Sequence, residues 1–189
     1  FELSTAMKST GEAMAIGRTF EESFMKALRS TEYTPARSLD AVDEAELVEQ
    51  FLRRPTPDRM FGVLEAFRRG FTVGRVAELT GIHTWYLERL RRVAVVEEDA
   101  AQGAFTAGAI VGHTNAALAG FGGTDVDTVE PVVPGRMYKQ VDTCAGEFVA
   151  QTPYYYSSRQ SEYERGPYEG AAAAGELRVE RDTESVVVV

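Results

Sequence analysis

The chain is short of several residue types, and each shortage removes a class of function. Of its 189 residues one is cysteine, one is tryptophan and two are histidine. Lysine occurs only at Lys8, Lys26 and Lys139. A lone Cys144 cannot form an internal disulfide framework and fits a reducing, cytoplasmic setting. No apolar run approaches the roughly 18–20 residues that a membrane helix needs. The start, FELSTAMKST, lacks the basic head, apolar middle and small-residue cleavage site of a signal peptide. No G-x-x-x-x-G-K-[ST] or G-x-G-x-x-G is present to grip phosphates. There is no initiator Met, and the chain stops inside the apolar run Val186 to Val189, so both ends read as cut from a longer polypeptide.

What is present is acidic and able to form a core. Net charge is −9 and 44% of residues are hydrophobic. The charge disfavours general affinity for nucleic acid or anionic membrane, and the apolar content argues against global disorder. An acidic, Lys-poor, Ala/Val-rich chain fits salt adaptation, since salt screens the self-repulsion that opposes compaction. A merely acidic protein from a GC-rich genome is the alternative.

Residues 1–18 hold short apolar pieces between Gly11 and Gly17 and suit strand and turn. Thr19 and Glu22 form a capping box, and Phe20, Phe24, Ala27 and Leu28 recur at helical spacing, which predicts a helix over about 20–32. Asp43 and Glu46 repeat the cap logic ahead of Leu47, Phe51 and Leu52. Thr56-Pro57 starts a further helix, with Pro at the first helical position. Its residues Met60, Phe61, Leu64 and Phe67 face the core, and Gly70 stops it.

From Gly70 an internal repeat of period about 42 sets in. GFTVGRVAELTGIHTWYLERL aligns with GHTNAALAGFGGTDVDTVEPV from Gly112. Gly70 matches Gly112, Thr72 matches Thr114, Val76 matches Leu118, Ala77 matches Ala119, Gly81 matches Gly123, Leu87 matches Val129 and Glu88 matches Glu130. Each copy reads as cap Thr, short helix, Gly turn and second helix. The second copy is rich in Gly and Ala, and its glycines weaken helix propensity, so it is expected to be shorter and looser. Ser158 to Gly175 reads as a linker, and Glu176 to Glu180 and Ser185 to Val189 as strands, the latter suited to a buried parallel sheet.

Two long motifs add a resemblance. MKSTGEAMAIGRTFEESFMKALRS is similar to the segment closing the first ATP-grasp half of the carbamoyl phosphate synthetase large subunit. That family's motif is MKS-x-GE-x-M-x-IGRT, followed by a helix carrying KALR. Met7, Lys8, Ser9, Gly11, Glu12, Met14, Ile16, Gly17, Arg18, Thr19 and Lys26 to Arg29 all match. YKQVDTCAGEFVAQTPYYYS, Tyr138 to Ser157, resembles the segment that joins the two halves of the same subunit.

The resemblance implies a mainly α fold, an irregular array of short helices in two related small bundles, with flanking strands from truncated ATP-grasp halves. Residues 1–33 would be the tail of the first, carboxyphosphate half, and 34–137 the helical connecting or oligomerisation domain. Residues 138–175 would be the joining segment, and 176–189 the first strands of the second, carbamoyl phosphate half. The parent enzyme would be an ATP-dependent ligase making carbamoyl phosphate from bicarbonate, glutamine-derived ammonia and two ATP, for pyrimidine and arginine biosynthesis. Its cofactors, ATP with magnesium or manganese, would not sit on this fragment, which would be inactive alone. Its partner would be the glutamine amidotransferase small subunit, with self-association through the helical domain. No nucleic-acid or membrane partner is implied.

Glu12 is the candidate site residue: the family's matching Glu lines the tunnel that carries carbamate between the two active sites. An ordinary turn carboxylate is the alternative. Cys144 lacks a pairing His and is expected to be a small buried apolar group. His83 and His113 lack ligand spacing for a metal and are expected in turns or at the surface. The run Tyr154 to Tyr156, with Tyr138, Tyr163 and Tyr168, is expected to pack at a domain interface, not to stack bases. A free-standing helical interaction module, or a helix-turn-helix DNA reader with Arg89, Arg91 and Arg92 on its second helix, is the alternative to the synthetase reading.

Overall fold

The computed structural model describes residues 5–7, 12–35, 38–141, 154–159 and 176–177. Among the described residues, eight helices lead into a small antiparallel sheet. They are α1 (Phe20–Ser30), α2 (Glu44–Glu46), α3 (Arg59–Arg68), α4 (Val73–Thr80), α5 (Thr84–Ala101), α6 (Phe105–Ile110), α7 (Asn115–Gly122) and α8 (Val126–Val129). α2 widens into a π-helical turn over Leu47–Leu52, where the Arg53 N–H reaches back to the Val48 carbonyl. The helix expected from Thr56-Pro57 begins later, at Arg59, with Pro57 in the preceding turn. Strands β1 (Met137–Val141), β2 (Tyr154–Ser158) and β3 (Glu176–Leu177) lie in the order β2-β1-β3.

The periodicities become two apolar cores. The first gathers Leu47, Leu52, Val63, Val76, Leu87, Leu90 and Val93, with Phe20, Phe24 and Leu28 of α1 packed against it. The second gathers Ala100, Phe105, Ala109, Leu118, Ala119, Val129 and Val133. Among the described helices, α5 alone has buried residues in both: Leu87, Leu90, Val93 and Ala94 in the first and Ala100 in the second. At 18 residues and about 1.5 Å of rise each, it is long enough to span both cores.

The repeat is real down to individual hydrogen bonds. The Phe71 N–H donates to the Ala66 carbonyl, and the His113 N–H to the Gly108 carbonyl, each 42 residues on. Gly70 N–H to Phe67 is matched by Gly112 N–H to Ala109. Thr72 Oγ1 accepts from the Arg75 N–H, and Thr114 Oγ1 from the Ala117 N–H. The helices end at Gly81, φ +70°, and Gly123, φ +59°, left-handed positions that cost a side-chain-bearing residue strain. The copies differ where expected: the second helix has 18 residues in the first copy and 4 in the second. Weak helix formers shorten it, and Pro131 lies just past its end, within the 3₁₀ turn Glu130–Val132.

The stretch from Tyr138 to Ser157 supplies β strands at both ends. β1 pairs with β2 from Met137↔Ser158 to Val141↔Tyr154. Ser158, expected to open a polar linker, instead closes β2 and is buried. β3 pairs antiparallel with β1 through Tyr138↔Leu177. Cys144 and the strand expected over 185–189 lie outside the described residues.

If the two turns are equivalent, Gly81→Ala and Gly123→Ala will each lower stability in urea unfolding by about 1–2 kcal/mol, the cost of a left-handed L-residue. A silent Gly123→Ala would mean that the second turn does not form.

Candidate functional site

Two buried polar clusters hold these elements together. The first is built on α1. Thr19 caps the helix by accepting the Glu22 N–H at 3.2 Å. The Glu22 carboxylate does not close the box on the Thr19 N–H but accepts the Arg18 N–H at 2.9 Å. That side chain is buried, and it also accepts the Ser158 hydroxyl at 3.1 Å and pairs with Lys26 at 2.9 Å. Lys26 in turn donates to the Ile16 carbonyl at 3.0 Å and to the Ser157 carbonyl. Its ammonium sits 5.6 Å from the Tyr156 ring centre. Burial holds the Tyr156 phenol above its ordinary value, and Glu22 adds to the effect against Arg18. A buried carboxylate is tolerated only when hydrogen-bonded and paired. Glu22 meets that condition with donors from three separate places; parting α1 from β2 would break the Ser158 and Ser157 contacts while the Glu22–Lys26 pair stayed on α1.

The second cluster is built on α5. Glu97, 6% exposed, takes Arg68 of α3 at 2.7 Å and faces His113 Nε2 at 3.5 Å. Arg68 also reaches Glu65, 3.4 Å away, and Glu65 pairs with Arg69 at 2.7 Å. Arg69 finally donates to the Leu39 and Val42 carbonyls, each at 2.7 Å, tying down the loop before α2. His113 is buried, edge-on to Phe121 at 5.3 Å, and its Nε2 has no hydrogen-bond partner. Burial lowers its pKa below the ordinary 6.5, Glu97 opposes the shift, and Arg29 and Arg68 reinforce it. The imidazole is therefore neutral at neutral pH.

These positions revise several expectations. His113 is a core group, not a surface one; it occupies the repeat position of buried Phe71. His83 is exposed, as expected, and caps α5 by accepting the Trp85 N–H on Nδ1 at 3.2 Å. Glu12 is exposed in the irregular segment that leads to α1. Tyr156 packs on the α1 cluster, as an interface ring would. A DNA-reading face on α5 loses two arginines to local contacts: Arg92 pairs with Glu21 at 3.3 Å, and Arg89 lies 5.0 Å from the Trp85 ring centre. Sequence reasoning found Glu22 through its cap spacing but missed Glu97, whose Glu97-Glu98-Asp99 context looks like a solvated helix end.

A model of the oligomerisation domain of the carbamoyl-phosphate synthetase large chain matches residues 12–127. The chain belongs to the carbamoyl-phosphate synthetase large-chain family. It is 51% identical over its whole length to the carbamoyl phosphate synthase large chain of Halobacterium salinarum, of which it covers 18%. It is 43% identical to that of Methanoregula boonei, with 84% of this chain and 15% of the relative aligned. The N-terminal section of the large chain from Aquifex aeolicus is 42% identical over 85% of this chain and 31% of its own length. The chain thus spans less than a third of each of these large-chain relatives. No described helix is long and apolar enough to cross a membrane.

Because unfolding returns His113 to its ordinary pKa, the unfolded chain binds more protons at acid pH. Stability is therefore full above about pH 6.5 and falls as pH drops toward the lower folded value. His113→Phe, which copies the first repeat, should flatten this decline between pH 7.5 and 5 in thermal unfolding. An unchanged slope would exclude His113 as its source.

Proposed function

We propose that this chain is the connecting region of a carbamoyl phosphate synthase large chain. The parent enzyme makes carbamoyl phosphate from bicarbonate, glutamine-derived ammonia and two ATP, and supplies pyrimidine and arginine synthesis in the cytoplasm. The observation that carries this reading is the 51% identity, over the whole of this chain, to the large chain of Halobacterium salinarum. In that role, residues 1–33 close the first synthetase half, 34–137 form the connector, 138–175 join it onward and 176–189 begin the second half. The connector spaces the two halves and self-associates, and the parent binds a glutamine amidotransferase small subunit. The acidic composition, net −9 with three lysines, and the haloarchaeal relative support a salt-adapted enzyme.

The two polar clusters suit a spacer. They lock helices and strand by buried ion pairs and leave no described His, Cys, Asp or Glu grouping able to hold a metal ion. Chemistry on ATP belongs to the rest of the parent chain. Glu12 is the residue proposed to touch an intermediate, as part of the wall of the carbamate tunnel. An exposed carboxylate on irregular backbone is free to face a passage formed with the neighbouring half.

The test is Glu12→Gln in the intact enzyme with its small subunit. Bicarbonate-dependent ATP hydrolysis and ATP formation from carbamoyl phosphate should persist, while glutamine-dependent synthesis drops about tenfold, a loss of about 1.4 kcal/mol in coupling. Coupling unchanged from the native enzyme would reject the tunnel role.

A further inference from the structure

Where α1, the α6–α7 turn and β2 meet, they enclose a cavity of about 60 Å³. Lys26, Arg29, Arg136 and Arg159 line it against a single carboxylate, Glu22. Glu22 and Lys26 are already satisfied by each other, by the Arg18 N–H, by the Ser158 hydroxyl and by the Ile16 and Ser157 carbonyls. Arg29 gives one N–H to the Gly112 carbonyl. Among the described residues, no carboxylate lies within ion-pair distance of Arg29, Arg136 or Arg159, whereas Arg68, Arg69, Arg75 and Arg92 each have one. Other arginines, Arg54 and Arg91 among them, also lack such a partner, but in a chain of net charge −9 Arg29, Arg136 and Arg159 share one wall with Lys26, and the carboxylate there is already paired to that lysine.

Electrostatics agrees with the geometry. Burial lowers the pKa of Arg29, and Arg136 lowers it further. Arg159 is lowered by burial and again by Arg136, with Glu130 opposing. Arg136 therefore repels both Arg29 and Arg159, and an anion between them would relieve that repulsion. The wall adds the neutral hydroxyl of Thr114, and the His113 ring also lines it, its Nε2 turned toward Glu97 at 3.5 Å. A water needs about 10–15 Å³ measured this way, so the hollow takes about four waters, or one group of similar heavy-atom count.

We propose that this cavity is an oxyanion site that takes a phosphate group, free or as a phosphomonoester, held by Arg29, Arg136 and Arg159. A tetrahedral oxyanion has the size of the hollow, and its several oxygens match guanidinium forks that bind phosphate in pairs of parallel hydrogen bonds. Filling it would pin β2 and the α6–α7 turn to α1 and add to the Glu22–Lys26 cluster. The site is separate from Glu12 and does not rest on the tunnel role.

The experiment is residue-resolved arginine labelling of the intact polypeptide with phenylglyoxal, read by peptide mass spectrometry. Inorganic phosphate and phenyl phosphate are added at constant ionic strength set with chloride. Both should protect Arg29 and Arg159 together, with one half-protection concentration. Free phosphate protecting without phenyl phosphate would mean a closed site for the ion alone, and overturn the phosphomonoester half of the proposal. Arg136→Gln should raise that concentration about tenfold, as expected for one lost charge-assisted contact, and Arg136→Lys should recover part of it. Retained amide-exchange protection of α1 and α6 verifies that each variant is folded. Equal protection by chloride alone, no protection at all, or protection indifferent to Arg136→Gln would each overturn the site. Because the readout is local to these arginines, failure here is distinct from failure of the Glu12 coupling test.

Discussion

The arrangement depends on one buried carboxylate. Glu97 sits on α5 where the helix leaves the first core and enters the second, and it contacts the same turn in both repeat copies. Arg68 comes from the last turn of α3, before Gly70, and His113 follows Gly112 at the equivalent turn 42 residues on. Stripping such a buried carboxylate of its partners costs about 3–5 kcal/mol. The ion pair is with the first copy; toward the second, Glu97 lies 3.5 Å from the neutral His113 ring without a hydrogen bond, so this carboxylate sets the two equivalent turns side by side. The longer chain Arg69–Glu65–Arg68–Glu97 extends that hold to the loop before α2.

The copies are alike in backbone and unlike in use. In the first, the helix after the Gly turn is α5 itself, long enough to serve both cores. In the second it is four residues long, and the chain turns through Pro131 into β1. That early stop lets β2 return to α1, where Ser157 and Ser158 meet Lys26 and Glu22 across more than 130 positions of sequence. Propensity thus has a topological consequence: the β-branched residues and Asp127 of α8, followed by Pro131, stop the helix early and free the chain to close on its own beginning.

Much of this was legible in the sequence, for local reasons. Caps at Thr19, Thr72, Thr114 and Asp43, stops at Gly70, Gly81 and Gly123, and the 42-residue register all depend on neighbours within a few positions. The opening strands of the sheet were not legible, because Tyr138 to Ser157 has little alternation and gains its strand character from cross-strand pairing. His113 was misjudged and Glu97 missed for a related reason. An acidic run at a helix end and a His after Gly are usually solvated, and only the approach of Arg68 from 29 positions away makes burial possible. The arginine cavity was equally hidden, since Arg29, Arg136 and Arg159 meet only once β2 has returned.

The claim that one carboxylate couples the two repeats has a direct test in native-state hydrogen exchange of a Glu97→Ala variant. The account predicts that amides of α3 and α4 and those of α6 and α7 lose protection together, by a similar factor. Loss confined to one set, with the other unchanged, would contradict it and leave α5 as a passive spacer between independent bundles.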